Sequence, residues 1–527
     1  MKHPGRFILN GLLLSLVSLI LRAVGVFFNA FITNRVGAEG MGLYQLVLSV
    51  YSPALTLATA GVNLATSRLI AEEMEKVGHG CTRALLRRVI VYTLTASTAV
   101  ALLLYAASDY ISIAWLNTDR AAPLLSTLAA GIPFIALSSA LNGYFTAVRR
   151  VSRTAFVQLF EQLFRIVLLA FLFSSLPLTT GIPCLFAVVF SSVATDALSF
   201  LITALLCRLD LKRIARGSKK KRPDQYRRIL HITLPVSLSS FLRSGLTALE
   251  HLLIPLGLKK SGQSYQTALA SYGKLSGMAL PILFFPASFL YSFTGLLIPE
   301  FAAAKERGND KEIALFASRV VRTVLIFSVG SAGLLFGFAD ALAVGIYNDA
   351  EVGLYIRLLS FLLPIMYLDT AVDSVLKGLG EQVFTMKVNI VDAVISVVAV
   401  WFLVPRFALN GYIAVLYISE GCNLALSFHR LCQKAGIKGR LLLTVFPPLL
   451  AVAASLSFIY LLLQCLPIPS LSLPLTAILM ALGAVIYLLL LLGMGVVPPR
   501  LLLRMVKAVA ERLPASVKPQ KDIKQAR

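Results

Sequence analysis

Two arginines stand inside stretches that are otherwise apolar enough to sit in lipid: Arg22 in SLILRAVGVFFNAFI and Arg243 in SSFLRSGLTALEHLLI. A cation at the centre of a membrane helix costs about 2.5–3.5 kcal/mol, so each calls for a compensating partner. A guanidinium is a planar fork of donors that matches phosphate oxygens two at a time. The chemistry these two residues suggest is capture of an anionic, diphosphate-bearing headgroup at membrane depth. The alternative is a structural pairing, for Arg243 with Glu250 two helical turns further on. Lys274 is a third intramembrane cation, suited to contact substrate on one side only. Asp369 and Asp373 share a helix face and, with Asp392, are candidates for holding a proton or sodium ion. Glu161 is a further candidate, although Arg165 one turn on is placed to pair with it. His251, beside Glu250, is read as structural. No GxxxxGK[ST] loop is present, and the cysteines and histidines show neither CxxC nor metal-ligand spacing. No cofactor, no metal and no ATP chemistry are expected.

The elements that must position these residues follow from composition. Of the 527 residues, 57% are hydrophobic and only 14% are charged, against roughly 25% charged in soluble domains. Apolar runs long enough to cross a ~30 Å hydrocarbon layer recur throughout. The expected fold is an all-α polytopic membrane protein with fourteen spans. They run Phe7–Ile32, Leu43–Ile70, Val89–Ala107, Leu124–Val148, Ala155–Phe173, Ile182–Cys207, Ile229–Leu258 and Ala270–Ile298. Val320–Ile346, Tyr355–Val375, Val388–Val404, Tyr412–Leu431, Leu441–Leu463 and Leu475–Val497 complete the set. The first run continues past Arg22 with no small-residue cleavage pattern, so it reads as a retained helix.

With the N-terminus inside, the outer loops hold five basic residues: Arg35, Arg120, Lys259, Lys260 and Arg406. The loops on the other side hold 39 of the 49 Lys and Arg. That asymmetry predicts a multi-pass protein of the bacterial cytoplasmic membrane with both termini cytoplasmic. It also accounts for the net charge of +24 without nucleic acid: the cations face anionic lipid. The tail from Leu501 (LLLRMVKAVAERL) reads as an amphipathic helix on the inner surface.

The chain repeats itself. Aligning Arg22 with Arg243 also pairs Ser18 with Ser239 and sets Asn29 opposite Glu250. YQLVLSVYSP at Tyr44 matches YGKLSGMALP at Tyr272, LIAE matches LIPE, and IPFIALSSALNGY matches LPIMYLDTAVDSV. Spans one to six and seven to twelve are therefore two copies of one unit. Each has an even number of helices, which implies parallel repeats about an axis along the membrane normal. The expected organisation is a six-helix lobe at 1–207, a basic cytoplasmic linker at 208–228 and a second six-helix lobe at 229–432. Two additional spans at 433–499 and a basic tail at 500–527 follow. Such lobes enclose a central cavity, toward which Arg22, Arg243, Lys274, Asn29 and Glu250 are the candidate substrate-binding side chains. Pro53, Pro133, Pro281 and Pro364 occupy equivalent places in the two copies and are candidate hinges.

LRAVGVFFNAFITNRVGAEGMGLYQL followed by GVNLATSRLIAEE resembles the opening of the polysaccharide-biosynthesis flippases of the stage V sporulation protein B type. LASYGKLSGMALPILFFPASFLYSFTGLLIPE resembles the start of their second half, and FVQLFEQLFRIVLLA, VLKGLGE and LVPRFALNGYIAVLYISE continue the likeness over about residues 1–500. These belong to the multidrug/oligosaccharidyl-lipid/polysaccharide (MOP) exporter superfamily. The resemblance implies two six-helix lobes, a central cavity and flipping of a lipid-linked saccharide. Arg22–Ala23–Val24–Gly25 is similar to the R-x-x-G context of the related lipid II flippases, which implies diphosphate handling for Arg22. Six positions on, where those flippases tend to carry a second basic residue, stands Phe28. The expected function is a non-enzymatic flippase that moves a polyprenyl-diphosphate-linked saccharide outward by alternating access, in spore cortex or envelope synthesis. A cation-coupled multidrug exporter of the same fold and a non-transporting envelope-synthesis scaffold are the alternatives. The expected partners are the lipid-linked substrate, membrane lipids and cell-wall synthesis enzymes, with the chain acting as a monomer.

Overall fold

The computed structural model describes residues 4–77, 82–148, 150–175, 181–212, 225–308, 310–436, 445–465 and 472–496, with the side chains of the first helix described from Val24 onward. The predicted amphipathic tail lies outside the described residues, as does most of the basic linker. The described chain is helical throughout, and no strand occurs in it. A polytopic chain has this form because lipid offers its backbone no hydrogen-bond partners, so each crossing segment must satisfy its own.

The first half comprises α1 (Pro4–Thr59), α2 (Val62–Val77), α3 (Thr82–Ala114), α4 (Ala122–Ala147), α5 (Val151–Ser175) and α6 (Ile182–Lys212). The first predicted span and most of the second lie in α1, which is broken at Gly37, where φ is 80° and ψ 171°. Only glycine adopts that conformation without strain. The predicted span Leu43–Ile70 is not one helix: it divides at Gly61, where φ is 78°. The carbonyl of Ala60, released at this break, accepts a hydrogen bond from Ser237 of the second half. Helix α4 is the centre of the first half, with α2, α3 and α6 packed on it. Along α3 the buried face runs Thr93, Ser97, Ala101, Leu104, Ser108, a row of small side chains that permits close helix packing. At one end Tyr144 donates to Asp210 (2.9 Å), and Arg150 and Arg153 pair with the same carboxylate.

The second half begins with α7 (Gln225–Lys260) and α8 (Tyr265–Tyr272), followed by a π-helical segment over Gly273–Ala279. Then come α9 (Leu280–Phe284), α10 (Ala287–Glu306), α11 (Asp310–Gly337), α12 (Ala339–Tyr347), α13 (Ala350–Ser360), α14 (Leu363–Gly378) and α15 (Gln382–Ala435). The predicted span Ala270–Ile298 is thus broken twice, by the π segment and again before α10. Helix α15 holds two predicted spans and folds back at Ala408, which has φ 51° and ψ −133°. Last, α16 (Phe446–Cys465) and α17 (Leu473–Gly493) pack on α11. Glycines on α11 admit the partner side chains: Tyr487 lies over Gly330 and Val452 over Gly333.

Among the described residues nine helices are long and apolar enough to cross a membrane, ten if the pair α13–α14, bent by 53°, is counted as one. The fourteen predicted spans do not map onto these one for one. α1 with α2, and α15, each carry two, while α7 and the interrupted run α8–α10 are not among the nine. The two halves meet along α1 and α7, and α1 also packs on α8 and the π segment.

Candidate functional site

A cavity of about 380 Å³ lies where the halves meet. The limb of α1 after Gly37 contributes Gln45, Ser49 and Ser52. From α7 come Ser244, Thr247 and His251, at helical spacing along one face. The third wall is Tyr272, Ser276 of the π segment, and Pro281 with Phe284 of α9. Leu48, Ala248 and Leu280 complete a mostly apolar wall, from which five small hydroxyls project: Ser49, Ser52, Ser244, Thr247 and Ser276. Two of them, Ser52 and Ser244, face one another across the halves at 3.1 Å. Tyr272 is buried, and its hydroxyl lies 3.0 Å from His251 Nδ1. The chamber thus sets donors and acceptors into a largely apolar wall that carries no fixed charge.

Contacts between the halves flank the chamber at both ends. At the end bearing Lys259 and Lys260, Gly42 and Gly273 let two backbones touch: a Cβ on Gly273 would stand 2.2 Å from the Ala38 carbonyl oxygen. Asn29 donates to the Gly277 carbonyl (2.8 Å), and Asn34 to the Ile346 carbonyl (3.0 Å). At the opposite end Tyr92 and Thr233 share a hydrogen bond of 3.0 Å, and Arg228 pairs with Glu72 (2.5 Å) and Glu73 (3.7 Å).

The residues singled out in the sequence fall in several places. The Arg22 side chain lies outside the described residues. Arg243 immediately precedes the lining residue Ser244; its guanidinium is exposed and lies within electrostatic reach of Asp392. No ion pair joins Arg243 to Glu250 among the described residues. Glu250 sits on the flank of α7, near the carboxylates of Asp392 and Glu420. Lys274 is away from the chamber wall: it is bound by Asp349 (2.8 Å) and Glu351 (2.6 Å). Lys274 and the Tyr355 hydroxyl together hold the Glu351 carboxyl below the usual carboxylate range. Asn29 is committed to the backbone contact described above.

The candidate ion-coupling residues form two separate clusters. In the first half Glu161 accepts from Ser199 (2.9 Å) and pairs with Arg165 (3.2 Å), which also reaches Asp196 (3.3 Å). In the second half Asp369, buried, accepts from Asn423 (3.3 Å), while Asp373 accepts from Lys377 (3.3 Å) and Asn389 (3.4 Å). Asp392 accepts from Ser419, itself bonded to Ser396 at 2.8 Å. Among the described residues Lys377 is the cation that forms an ion pair with these carboxylates, and Arg243 lies within reach of Asp392, so the second cluster has more carboxylates than cations. Of the four prolines, Pro53 and Pro133 lie within continuous helices, whereas Pro281 and Pro364 sit at helix starts beside breaks.

Sequence reasoning missed the hydroxyl lining and gave His251 only a structural role. The available signal was spacing: Ser244, Thr247 and His251 recur at i, i+3 and i+7 in a span that also carries Arg243.

Comparison with known proteins gives the fold a context. The chain is 24% identical to stage V sporulation protein B of Bacillus subtilis strain 168 over 428 residues, which is 80% of this chain and 82% of that protein. Its structure is similar to that of the lipid II flippase MurJ in an inward closed conformation, with a TM-score of 0.66 at 13% identity, covering 91% of this chain and 98% of MurJ. An inward-facing multidrug resistance MATE transporter of the MOP superfamily gives a TM-score of 0.63 at 15% identity, covering 80% of this chain and 99% of that one. Residues 7–301 match the family described as polysaccharide biosynthesis protein. A helical chain with this fold and that match, which spans more than half its length, is a membrane protein that belongs to the polysaccharide biosynthesis protein family.

Proposed function

We propose that the protein is a flippase carrying a polyprenyl-diphosphate-linked saccharide from the inner to the outer leaflet. The observation that carries this reading is the chamber between the halves, where five small hydroxyls project from a mostly apolar wall, with inter-half contacts at both of its ends and Arg243 at its margin. Small hydroxyls suit a saccharide because they both donate and accept. Arg243, with Arg22 in the equivalent helix, supplies the positive charge for the diphosphate. The prenyl tail stays in lipid. Alternating loss of the two sets of inter-half contacts opens the chamber first inward, then outward. The likeness to stage V sporulation protein B and to MurJ supports a precursor of the cell envelope as the cargo. With no ATP site, an inside-negative potential favours outward movement of the anion by up to ~2.3 kcal/mol per charge per 100 mV.

A cation-coupled exporter of the same fold is the second reading, favoured by the acidic cluster of Glu250, Asp369, Asp392 and Glu420. One assay separates the two. Purified protein is placed in vesicles with a labelled polyprenyl-diphosphate saccharide, and leaflet accessibility is followed for wild type, Arg22→Ala and Arg243→Ala. Wild type is expected to translocate, with both variants slowed at least tenfold. Equal rates in all three would remove the arginines from the mechanism. Rates no higher than in empty vesicles, together with sodium- or proton-driven efflux of a cationic dye, would favour the exporter.

A further inference from the structure

A second cavity, of about 410 Å³, lies on the back of α7. Its α7 residues Leu253, Leu256, Gly257 and Lys260 are rotated about 180° from Ser244, Thr247 and His251, given ~100° per residue. It therefore faces α15 and not the central chamber. Val400, Trp401 and Pro405 of α15 form its other wall, and Asn117 of the first half closes its rim.

The charge at this groove is unusual for its side of the membrane. The side identified by its sparse basic residues as extracytoplasmic has five loop cations, and two of them, Lys259 and Lys260, line the groove. Of the others, Arg120 faces Glu39 (3.9 Å), Arg35 lies over Phe173 (5.9 Å), and Arg406 is exposed next to the lining residue Pro405. Neither groove lysine makes an ion pair among the described residues. Lys260 instead places its ammonium 4.4 Å from the centre of the Trp401 ring. Trp401, Phe402 and Phe407 are all exposed there, as expected of the aromatic belt at a membrane–water boundary. Below the lysines the wall is aliphatic.

Cations at headgroup level above an apolar slot complement one kind of molecule. We propose that this groove binds an anionic phospholipid of the outer leaflet, with its phosphate between Lys259 and Lys260 and an acyl chain along Leu253, Leu256 and Val400. Because the groove backs α7 and its rim includes Asn117 of the first half, the bound lipid braces the helix that lines the chamber against α15 and across the lobe junction.

Trp401 provides a direct probe. The chain has two tryptophans, so Trp115→Phe leaves Trp401 as the sole indole. This protein is placed in vesicles of phosphatidylcholine containing brominated phosphatidylglycerol or brominated phosphatidylcholine, and quenching is measured against mole fraction. Phosphatidylglycerol is expected to quench at far lower mole fraction. Each lysine near an anionic headgroup is worth roughly fivefold in affinity, so Lys259→Gln with Lys260→Gln is expected to lower the preference about 25-fold at low salt. Arg120→Gln should leave it unchanged. Quenching by brominated phosphatidylcholine serves as the check that the double variant remains folded. Free glycerol phosphate is expected not to compete; full competition would mean a site for soluble phosphate and would overturn the lipid assignment. So would equal quenching by the two lipids, or a preference that survives in the double variant.

Discussion

Substituting Gly273 by alanine tests what closes the chamber at the end bearing Lys259 and Lys260. The new Cβ would meet the Ala38 carbonyl oxygen at 2.2 Å and the Gly42 nitrogen at 2.6 Å, both backbone atoms. No rotamer change relieves a clash with backbone. To restore an ordinary contact of 3.4 Å, the α1 and α8–π backbones must separate by about 1.2 Å there, the difference between 3.4 and 2.2. Overpacking of this kind costs about 1–3 kcal/mol. If the strain exists only while this end is shut, the equilibrium moves toward the open form by roughly 5- to 150-fold. The assay is the rate at which a membrane-impermeant maleimide added outside labels Ser49→Cys, a chamber residue, in a protein with its six native cysteines replaced. Gly273→Ala is expected to accelerate labelling by at least fivefold. Gly245→Ala, whose Cβ would meet nothing within 4 Å, is the control and should not. Equal labelling rates in the two variants, with equal thermal midpoints, would refute the idea that this crossing is a seal.

The other end gives the mirror experiment. Arg228→Ala removes the pairing with Glu72 and Glu73 and should raise labelling of Ser49→Cys from the opposite face while leaving external labelling unchanged. Lys274→Gln leaves Asp349 and Glu351 without their cation; a loss of about 1–2 kcal/mol, read as a lower thermal midpoint in detergent, is expected, and no loss would mean the triad is too solvated to matter. Glu381 is held below the usual carboxylate range by Lys434 and Arg430. A carboxyl depressed in the folded state contributes stability that is present above its unfolded value, about 4.3, and is lost as pH falls through the folded one. Glu381→Gln should therefore be less stable than wild type at neutral pH, with the deficit disappearing under acid; a deficit constant with pH would point to packing instead.

Much of the helical layout was legible because lipid imposes a long-range rule on composition: Phe7–Ile32, Val89–Ala107 and Ala155–Phe173 each lie within a helix of the structure. The break over Gly273–Ala279 was not. Leu275, Met278 and Ala279 are apolar, and a π turn changes hydrogen bonding without changing hydropathy. Lys274 was visible as a costly cation, but Glu351, 77 residues away, was not visible as its partner. A central cavity was expected, but its lining went unseen for a different reason. Serine and threonine in a helix return their hydrogen bond to the preceding turn, as Thr247 does to the Arg243 carbonyl, so they carry no sequence signature of cost. Charge drew attention to Arg243, yet which way a helix face turns is decided by its neighbours.

The chamber has one stiff wall and one compliant wall. Gln45 to Ser52 ride on α-helical backbone, in which Pro53 withholds a hydrogen bond only from the Ser49 carbonyl. Ser276 rides on a π turn, and Pro281 opens a fresh helix immediately after it. Converting that turn to α would rewind the same residues more tightly and swing everything downstream by about a third of a turn, exchanging which side chains face the cargo. A device built so unevenly adjusts to its passenger from one side, with the other acting as the fixed jaw of a vice.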